Sequence, residues 1–594
     1  MAKTSIKTKL ETFGIKINAE QLAAVKFIKG NSIVQAGPGT GKTTVVVAKI
    51  LHTLIAEPTA KVLAISFTRK SVAELQSRLP ISDNVTASTF HGFYYHILKA
   101  HGYRTFKFFQ NEADRRSFIN KLLIDNNLNE VVTTDRVLET ITAGNPTTDI
   151  LRKCLDLYLE ALKDARTLCY DSLQYYVKEL ITSNPAIADK IRRYYDFIIV
   201  DEAQDMSALQ VDIAEHLWIN NAIKGICFVG DGNQSIYGFR GAHPNVLQEL
   251  KQAFKAKIFT LTTNYRSSAE ILSIANALLP TAPTLISQKG QNNILPVFYT
   301  AETQETEAKF VIEEIKKLLN KGYKLRDIAI LFRSAPAIDA VFEALFEAKI
   351  HFVKLGSDCG KWNNSRLKKF FKMMLFLSDR SITNFLTIAP CFGIAKDCII
   401  DMGDCSNQTL TEFLLSIPSL SKRQRETLQN FLNISIDGLT LVDLARLLWK
   451  GYLKALFKAD TDDILDEFLD LTIKFETFAE LHAHLILLRR VVKKMNKLAL
   501  DPNADYLRLM SIHTSKGTEF NTVFLIGATE GLLPDLGHEN INSEEENRLA
   551  YVATTRAKER IYISYTKTSI KEKNEPSRFF AKYFVLPSVK TDVF

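Results

Sequence analysis

The stretch IVQAGPGTGKTTVVV, residues 33–47, constrains this chain more than any other. Residues 33–35 read as a short buried strand and 43–55 as a helix. Between them, Ala36, Gly37, Pro38, Gly39, Thr40, Gly41, Lys42 and Thr43 follow the phosphate-loop pattern, with alanine in place of its first glycine. Glycines at 37, 39 and 41 remove side chains, so backbone N–H groups can point at phosphate oxygens. Lys42 is expected to reach the β- and γ-phosphates and the Thr43 hydroxyl to ligate Mg²⁺. The positive N-terminal end of the helix would face the same phosphates. A strand, loop and helix in that register predict an α/β fold.

The complementary signal is YYDFIIVDEAQD, residues 194–205. Its uninterrupted apolar run suits a central parallel strand and delivers Asp201 and Glu202 at the C-terminal edge, where α/β sheets bind ligands. Asp201 can hold Mg²⁺ through its water shell. Glu202 is placed to polarise an attacking water as general base. A third strand and loop, GICFVGDGNQSIYGFRGA at 225–242, brings Gln234 towards the γ-phosphate or that water. It runs straight on to Tyr237, Phe239 and Arg240, the side-chain types that stack on bases and contact phosphates.

With 594 residues the chain exceeds what one core can serve, and several domains are expected. No stretch of about 18 uncharged apolar residues suggests a membrane span. The basic N-terminus, MAKTSIKTKLETFG, lacks the apolar centre of a signal peptide, so a cytoplasmic location is expected. Seven cysteines, an odd number, do not suggest a disulfide framework. Cys391, Cys398 and Cys405 recur at even spacing with Cys359 upstream; without CxxC pairs they read as buried thiols rather than metal ligands. The net charge of +9 fits a nucleic-acid partner.

Taken in order, further motifs resemble the UvrD/Rep family of superfamily 1A DNA helicases: INAEQLAAV (17–25), AISFTRKSVAEL (64–75), ASTFHGF (87–93), LTTNYRSSAEIL (261–272), LRLMSIHTSKGTEFNTVFLIG (507–527) and EEENRLAYVATTRAKERIYIS (544–564). The resemblance implies two RecA-like P-loop motor domains with parallel sheets, each interrupted by a mainly helical insertion. It implies ATP with Mg²⁺ in the cleft between the motors and 3′ to 5′ movement on single-stranded DNA. It puts Gln21 on the adenine edge, where a paired hydrogen bond favours adenine over guanine. Tyr265 would lie on the adenine face, Arg266 and Arg556 on the γ-phosphate as arginine fingers, and Glu519 on the ribose. Phe67, Thr89, His91, Tyr237, Phe239, Arg240 and His513 fall at positions that line the single-strand track in relatives. The chain departs from its relatives in places: Phe239 replaces a usual Trp, Ala203 a Phe, Arg69 an Asn and Thr518 a Leu. Thr44 stands where many carry an Arg, so one adenine-side contact is in question. None of these changes removes a catalytic group.

The implied organisation is a first motor at 1–95 and 191–266 with an insertion at 96–190, then a second motor at 267–375 and 500–594 with an insertion at 376–499. The second insertion is short for the mobile domain at that place in the family. That suits a rival reading: a DNA-dependent ATPase that remodels protein–DNA complexes or drives a partner nuclease with little unwinding of its own. No fused nuclease is expected after Arg556. The expected partners are single-stranded and duplex-junction DNA, with a repair or defence protein possible, and the expected state is a monomer or weak dimer.

Overall fold

In the computed structural model, the described residues run from 6 to 584, except 81, 145, 220–222, 239–244, 335–336, 356–364, 395–398, 400–408, 419, 458, 460–461, 473–474, 499–500, 502–503, 537–542 and 569–572. The first sheet contains β1 (Ser32–Ala36), β2 (Val62–Ser66), β3 (Val85–Thr89), β4 (Phe197–Val200), β5 (Gly225–Gly230) and β6 (Lys257–Leu261). They lie in the order β3-β2-β4-β5-β1-β6, and every pairing is parallel. Every residue of β2, β4 and β5 is buried, as a sheet covered on both faces requires.

Successive residues of a strand point to opposite faces, and the cores follow that alternation. Val34, Ala64, Ile199 and Val229 pack against Val45, Val46 and Ile50 of helix Lys42–Ala56 and Ala24 of helix Ala19–Lys26. Their neighbours Ile33, Ile65, Ile198, Val200 and Phe228 face the other way. On that side they share one core with Ile119, Tyr158 and Tyr176, which belong to the helices joining β3 to β4. The first insertion is therefore packed into the sheet it interrupts.

The second sheet contains β7 (Val297–Ala301), β8 (Ile328–Phe332), β9 (Phe352–Leu355), β10 (Leu507–Ser511), β11 (Phe520–Leu525) and β12 (Ala557–Thr566). The order is β7-β12-β11-β8-β10-β9, again all parallel. Helices Ala269–Leu278 and Ser543–Thr554 cover one face, and Gln304–Asn320 with Asp339–Glu347 the other. The helices between β9 and β10 form a separate core around Phe370, Trp449 and Phe468, which shares none of its buried residues with the sheet cores. There Phe370 stacks on Phe468 at 4.5 Å, and the Trp449 indole donates to Asp462 at 2.7 Å. This architecture is the expected one: two parallel α/β sheets, each interrupted by a mainly helical segment.

The halves interlock. Ile236, in the loop after β5, is fully buried in the core of the second sheet. No helix among the described residues is long and apolar enough to cross a membrane. Cys154, Cys169 and Cys227 are buried free thiols and Cys391 is half-buried; Cys359, Cys398 and Cys405 lie outside the described residues.

Candidate functional site

The phosphate loop sits at the C-terminal edge of β1. Gly39 and Gly41 have φ of +68° and +85°, a region that side chains strain to enter. Close packing also demands glycine there. A Cβ on Gly39 would lie 2.6 Å from the Arg266 Cβ and 2.7 Å from Asn264 Nδ2, and one on Gly41 would lie 2.7 Å from Gln21 Nε2. The loop is thus pressed between the 264–266 turn and the first motif. Asn264, fully buried, donates to the Pro38 carbonyl at 2.6 Å and accepts from the Arg266 and Ser267 N–H groups, each at 2.8 Å. The Tyr265 N–H donates to the Gly39 carbonyl at 2.8 Å, and its ring is left exposed.

Gln21 is buried. Its Nε2 donates to the Thr40 carbonyl at 2.9 Å, and its Oε1 accepts from the Asn18 N–H at 3.0 Å as half of a capping box. The amide expected to read adenine also pins the loop. Glu20 beside it accepts four hydrogen bonds from the N–H and hydroxyl groups of Thr262 and Thr263. Thr44 accepts from Arg78 at 3.1 Å, so an arginine does reach this side of the loop, from another helix.

Lys42 Nζ rests on the Ala36 carbonyl at 3.2 Å. It acts electrostatically on three carboxyls, buried Asp201 and Asp231 and half-buried Glu202. Burial, then the charge of Glu202, pushes Asp201 up against the pull of Lys42. Burial works the same way on Glu202, but Lys42 and Lys516 outweigh it and hold that carboxyl below its usual range. A site so rich in buried negative charge suits a cation. The Thr43 hydroxyl and the Asp201 carboxylate are hard oxygen donors of the kind Mg²⁺ takes. Glu202 has φ +53°, in the left-handed region, at a cost of about 1–3 kcal/mol for a residue with a side chain. Gln204 Nε2 donates to Glu202 Oε2 at 2.5 Å, and Gln204 Oε1 accepts from the Asp231 N–H at 3.0 Å. One buried amide thus bridges the two carboxylate loops.

The second sheet closes the cleft. Fully buried Arg556 donates to the Val552 and Thr518 carbonyls at 3.0 and 3.1 Å and to Gln234 Oε1 at 3.3 Å. Gln234 in turn donates to Asp231 at 2.7 Å. Arg266 bonds Glu519 at 2.7 Å and the Thr555 carbonyl at 3.1 Å, and Lys558 holds the other Glu519 oxygen at 2.8 Å. Burial opposes ionisation of Glu519, yet Lys558 and Arg266 bring its carboxyl down to about 2.

Lys516 reaches across to the Asp205 carboxylate at 2.6 and 2.7 Å and to the Gln234 carbonyl at 2.8 Å. Arg548 holds the Ser235 carbonyl at 2.8 Å. Three cations of the second half therefore grip residues 234–235. Sequence reasoning passed over Gln204, Asp205, Asn264 and Lys516, although all lie inside the quoted motifs. The available signal was opposite charge in separate motifs, Asp205 in one and Lys516 in the other. Removing Lys516 alone strands a buried carboxylate whose side chain is 2% exposed. Lys516→Ala is expected to destabilise the closed cleft by about 3–5 kcal/mol, and Asp205→Asn with Lys516→Met to recover most of that. Denaturant melts of the single and double variants check this; equal stability of Lys516→Ala and wild type would contradict it.

Beyond Gln234 the loop delivers Tyr237. Its ring stacks on Phe67 at 6.0 Å and 14°, lies 6.4 Å from the His513 ring, and carries Lys516 Nζ 4.9 Å above it. Thr89 caps helix Phe90–Ala100 through the Gly92 N–H at 3.1 Å, and the His91 ring meets Tyr170 edge-on at 5.7 Å. Phe239 and Arg240 lie outside the described residues. Phe67, Tyr237 and His513 thus form one group, next to the loop that meets the phosphate-binding half.

Comparison with known proteins agrees with this geometry. The profile described as "UvrD/REP helicase N-terminal domain" matches residues 17–143 and 110–255, and "UvrD-like helicase C-terminal domain" matches 259–362 and 454–568. The chain is 27% identical to ATP-dependent DNA helicase PcrA of Bacillus subtilis, with 95% of this chain and 85% of that protein covered. It is also 27% identical to DNA helicase II of Escherichia coli, over 95% of this chain and 87% of the relative. PcrA of Staphylococcus aureus is 26% identical over 95% of this chain and 85% of its own. Ordered motifs, paired parallel sheets and profile matches along both halves place the chain in the UvrD/Rep helicase family.

Proposed function

We propose that the chain is an ATP-dependent DNA helicase that translocates 3′ to 5′ on single-stranded DNA and couples hydrolysis to strand separation. The observation that carries this reading is the loop at 231–237. Its first residues hydrogen-bond into the carboxylate site, its middle is gripped by Lys516, Arg548 and Arg556, and its end places Tyr237 against Phe67. Any change in how the second half meets bound ATP must move that loop, and with it the aromatic group.

In this reading Lys42 and the loop N–H groups hold the phosphates, with Gln21 and Tyr265 on the base and Glu519 on the ribose. Glu202 accepts the proton of the attacking water, and Gln234 orients that water. Arg266 and Arg556 exchange their present partners for the γ-phosphate as negative charge builds. Thr43 and Asp201 would hold Mg²⁺, which would offset the negative charge that develops as phosphate is transferred. The track comprises Phe67, Thr89, His91, Tyr237 and His513, with Phe239 and Arg240 continuing it. The first motor comprises 1–95 and 191–266 with its insertion at 96–190, and the first segment of the second motor ends before 365 rather than at 375, because helix Ser365–Ser378 packs in the core of the second insertion.

The test is steady-state ATPase with and without single-stranded DNA. Strong stimulation by the strand is expected; equal rates would rule out a motor. Parallel strand-separation and translocation assays then separate a helicase from a translocase that unwinds little.

A further inference from the structure

Lys49 is a charged side chain that nothing above employs, and it lies inside the first motor. It sits on the phosphate-loop helix, Lys42–Ala56, and is 4% exposed. Its surroundings are apolar: Val45, Val46, Ile50 and Leu51 of that helix belong to one core with Ala24 and Val25 of helix Ala19–Lys26. Burial pulls its ammonium below the usual lysine range. No carboxylate pairs with it among the described residues. An ammonium in such a place persists only where oxygens take its protons.

Those oxygens belong to one helix end. Lys49 Nζ donates to the Ala24 carbonyl at 2.9 Å and to the Phe27 carbonyl. Ala24 lies in the last turn of helix Ala19–Lys26, and Phe27 is its C-cap. The final carbonyls of a helix lack partners within it and carry the negative end of its dipole. Lys49 supplies both the donors and the opposite charge.

This is the helix that carries Gln21, one turn before Ala24. At its first turn Gln21 holds the Thr40 carbonyl, and Glu20 accepts from Thr262 and Thr263. At its last turn the helix is tied to the phosphate-loop helix through Lys49. A rod of eight residues held at both ends cannot slide or tilt, so Gln21 keeps one position relative to the phosphates.

We propose that Lys49 is a positioning residue for nucleotide choice: by holding the C-terminal carbonyls of helix Ala19–Lys26 against the phosphate-loop helix, it fixes where the Gln21 amide meets the adenine edge. This role rests on the adenine reading of Gln21 above and adds to it the group that sets that amide's place.

The test is steady-state ATPase and GTPase of the full chain with single-stranded DNA present. Lys49→Met keeps the length of the side chain and loses its donors. It is expected to raise KM for ATP by about 10-fold, with kcat and the KM for GTP little changed, so that the preference for ATP shrinks by the same factor. Gln21→Ala should lose the preference too. A lysine needed only for stability predicts otherwise. Lys49→Met would then melt lower and lose rate with both nucleotides alike, leaving the ATP-to-GTP ratio of kcat/KM at the wild-type value. That ratio, unchanged in Lys49→Met while Gln21→Ala loses it, overturns the role of Lys49 and leaves Gln21 standing. Should Lys49→Met fail to fold, Lys49→Gln, with a donor too short to reach both carbonyls, takes its place, and the same ratio decides. If wild type does not prefer ATP, or Gln21→Ala keeps the preference, the adenine reading falls first, and this role of Lys49 with it.

Discussion

Glu202→Gln is expected to lower ATP turnover by about 10²–10⁴-fold while ATP still binds at near wild-type affinity. The substitution keeps the shape of the side chain and removes its basicity. Lys42 and Lys516 hold Glu202 in its charged, proton-accepting form despite burial. The residue is also held in a left-handed backbone conformation. Strain of that kind persists only where the surroundings over-determine it, and here Gln204 fixes the carboxylate at 2.5 Å. Binding should survive because the phosphate cradle is built from Gly39, Gly41 and Lys42. Single-turnover ATPase beside nucleotide binding measures both quantities. Substantial turnover by Glu202→Gln would move the general base elsewhere.

Arg266→Ala and Arg556→Ala should each reduce kcat by about 10³-fold or more, with a much smaller change in KM for ATP. An arginine that meets charge only in the transition state contributes to rate and little to ground-state binding. Both side chains are already poised in the cleft, on Glu519 and on Gln234 respectively. Arg556 is fully buried among backbone carbonyls, so its removal also carries a structural cost. Arg266 is the cleaner probe, since its guanidinium lies at the cleft edge with a side chain 14% exposed. Normal hydrolysis by both variants would dismantle the two-domain site.

Where sequence reasoning succeeded, the signals were local. The Lys42 loop needs left-handed glycines next to a strand, and β4 needs an unbroken apolar run before Asp201; both requirements are met within a dozen residues. Which face each residue of those strands takes, Ile33 against Val34 or Ile198 against Ile199, came from the fold, since an unbroken apolar run does not distinguish them. The helical character of both inserted segments was legible locally too. Their packing was not. Tyr158 and Tyr176 join the core of the first sheet, whereas Trp449 and Phe468 build one of their own. Amphipathic helices carry the same pattern in either case, because periodicity records that a face is buried and not against what.

The cleft makes the same division. Lys42 and Glu202 could be picked out from short motifs because the required residue types sit at fixed short spacings, and Gln21, Arg266 and Arg556 through the family resemblance. Their present partners could not. The Asp205–Lys516 pair spans 311 residues of chain, and the Arg556–Gln234 bond spans 322. By itself the sequence determined a phosphate loop and the carboxylates opposite it, since strands, turns and caps follow from local sterics and hydrophobic period; the pair of parallel sheets followed from the family resemblance. Only the tertiary structure decided which loop the second half grips and which amides bridge the carboxylates. Those contacts depend on long loops closing, and loop closure leaves no periodic trace in the chain it joins.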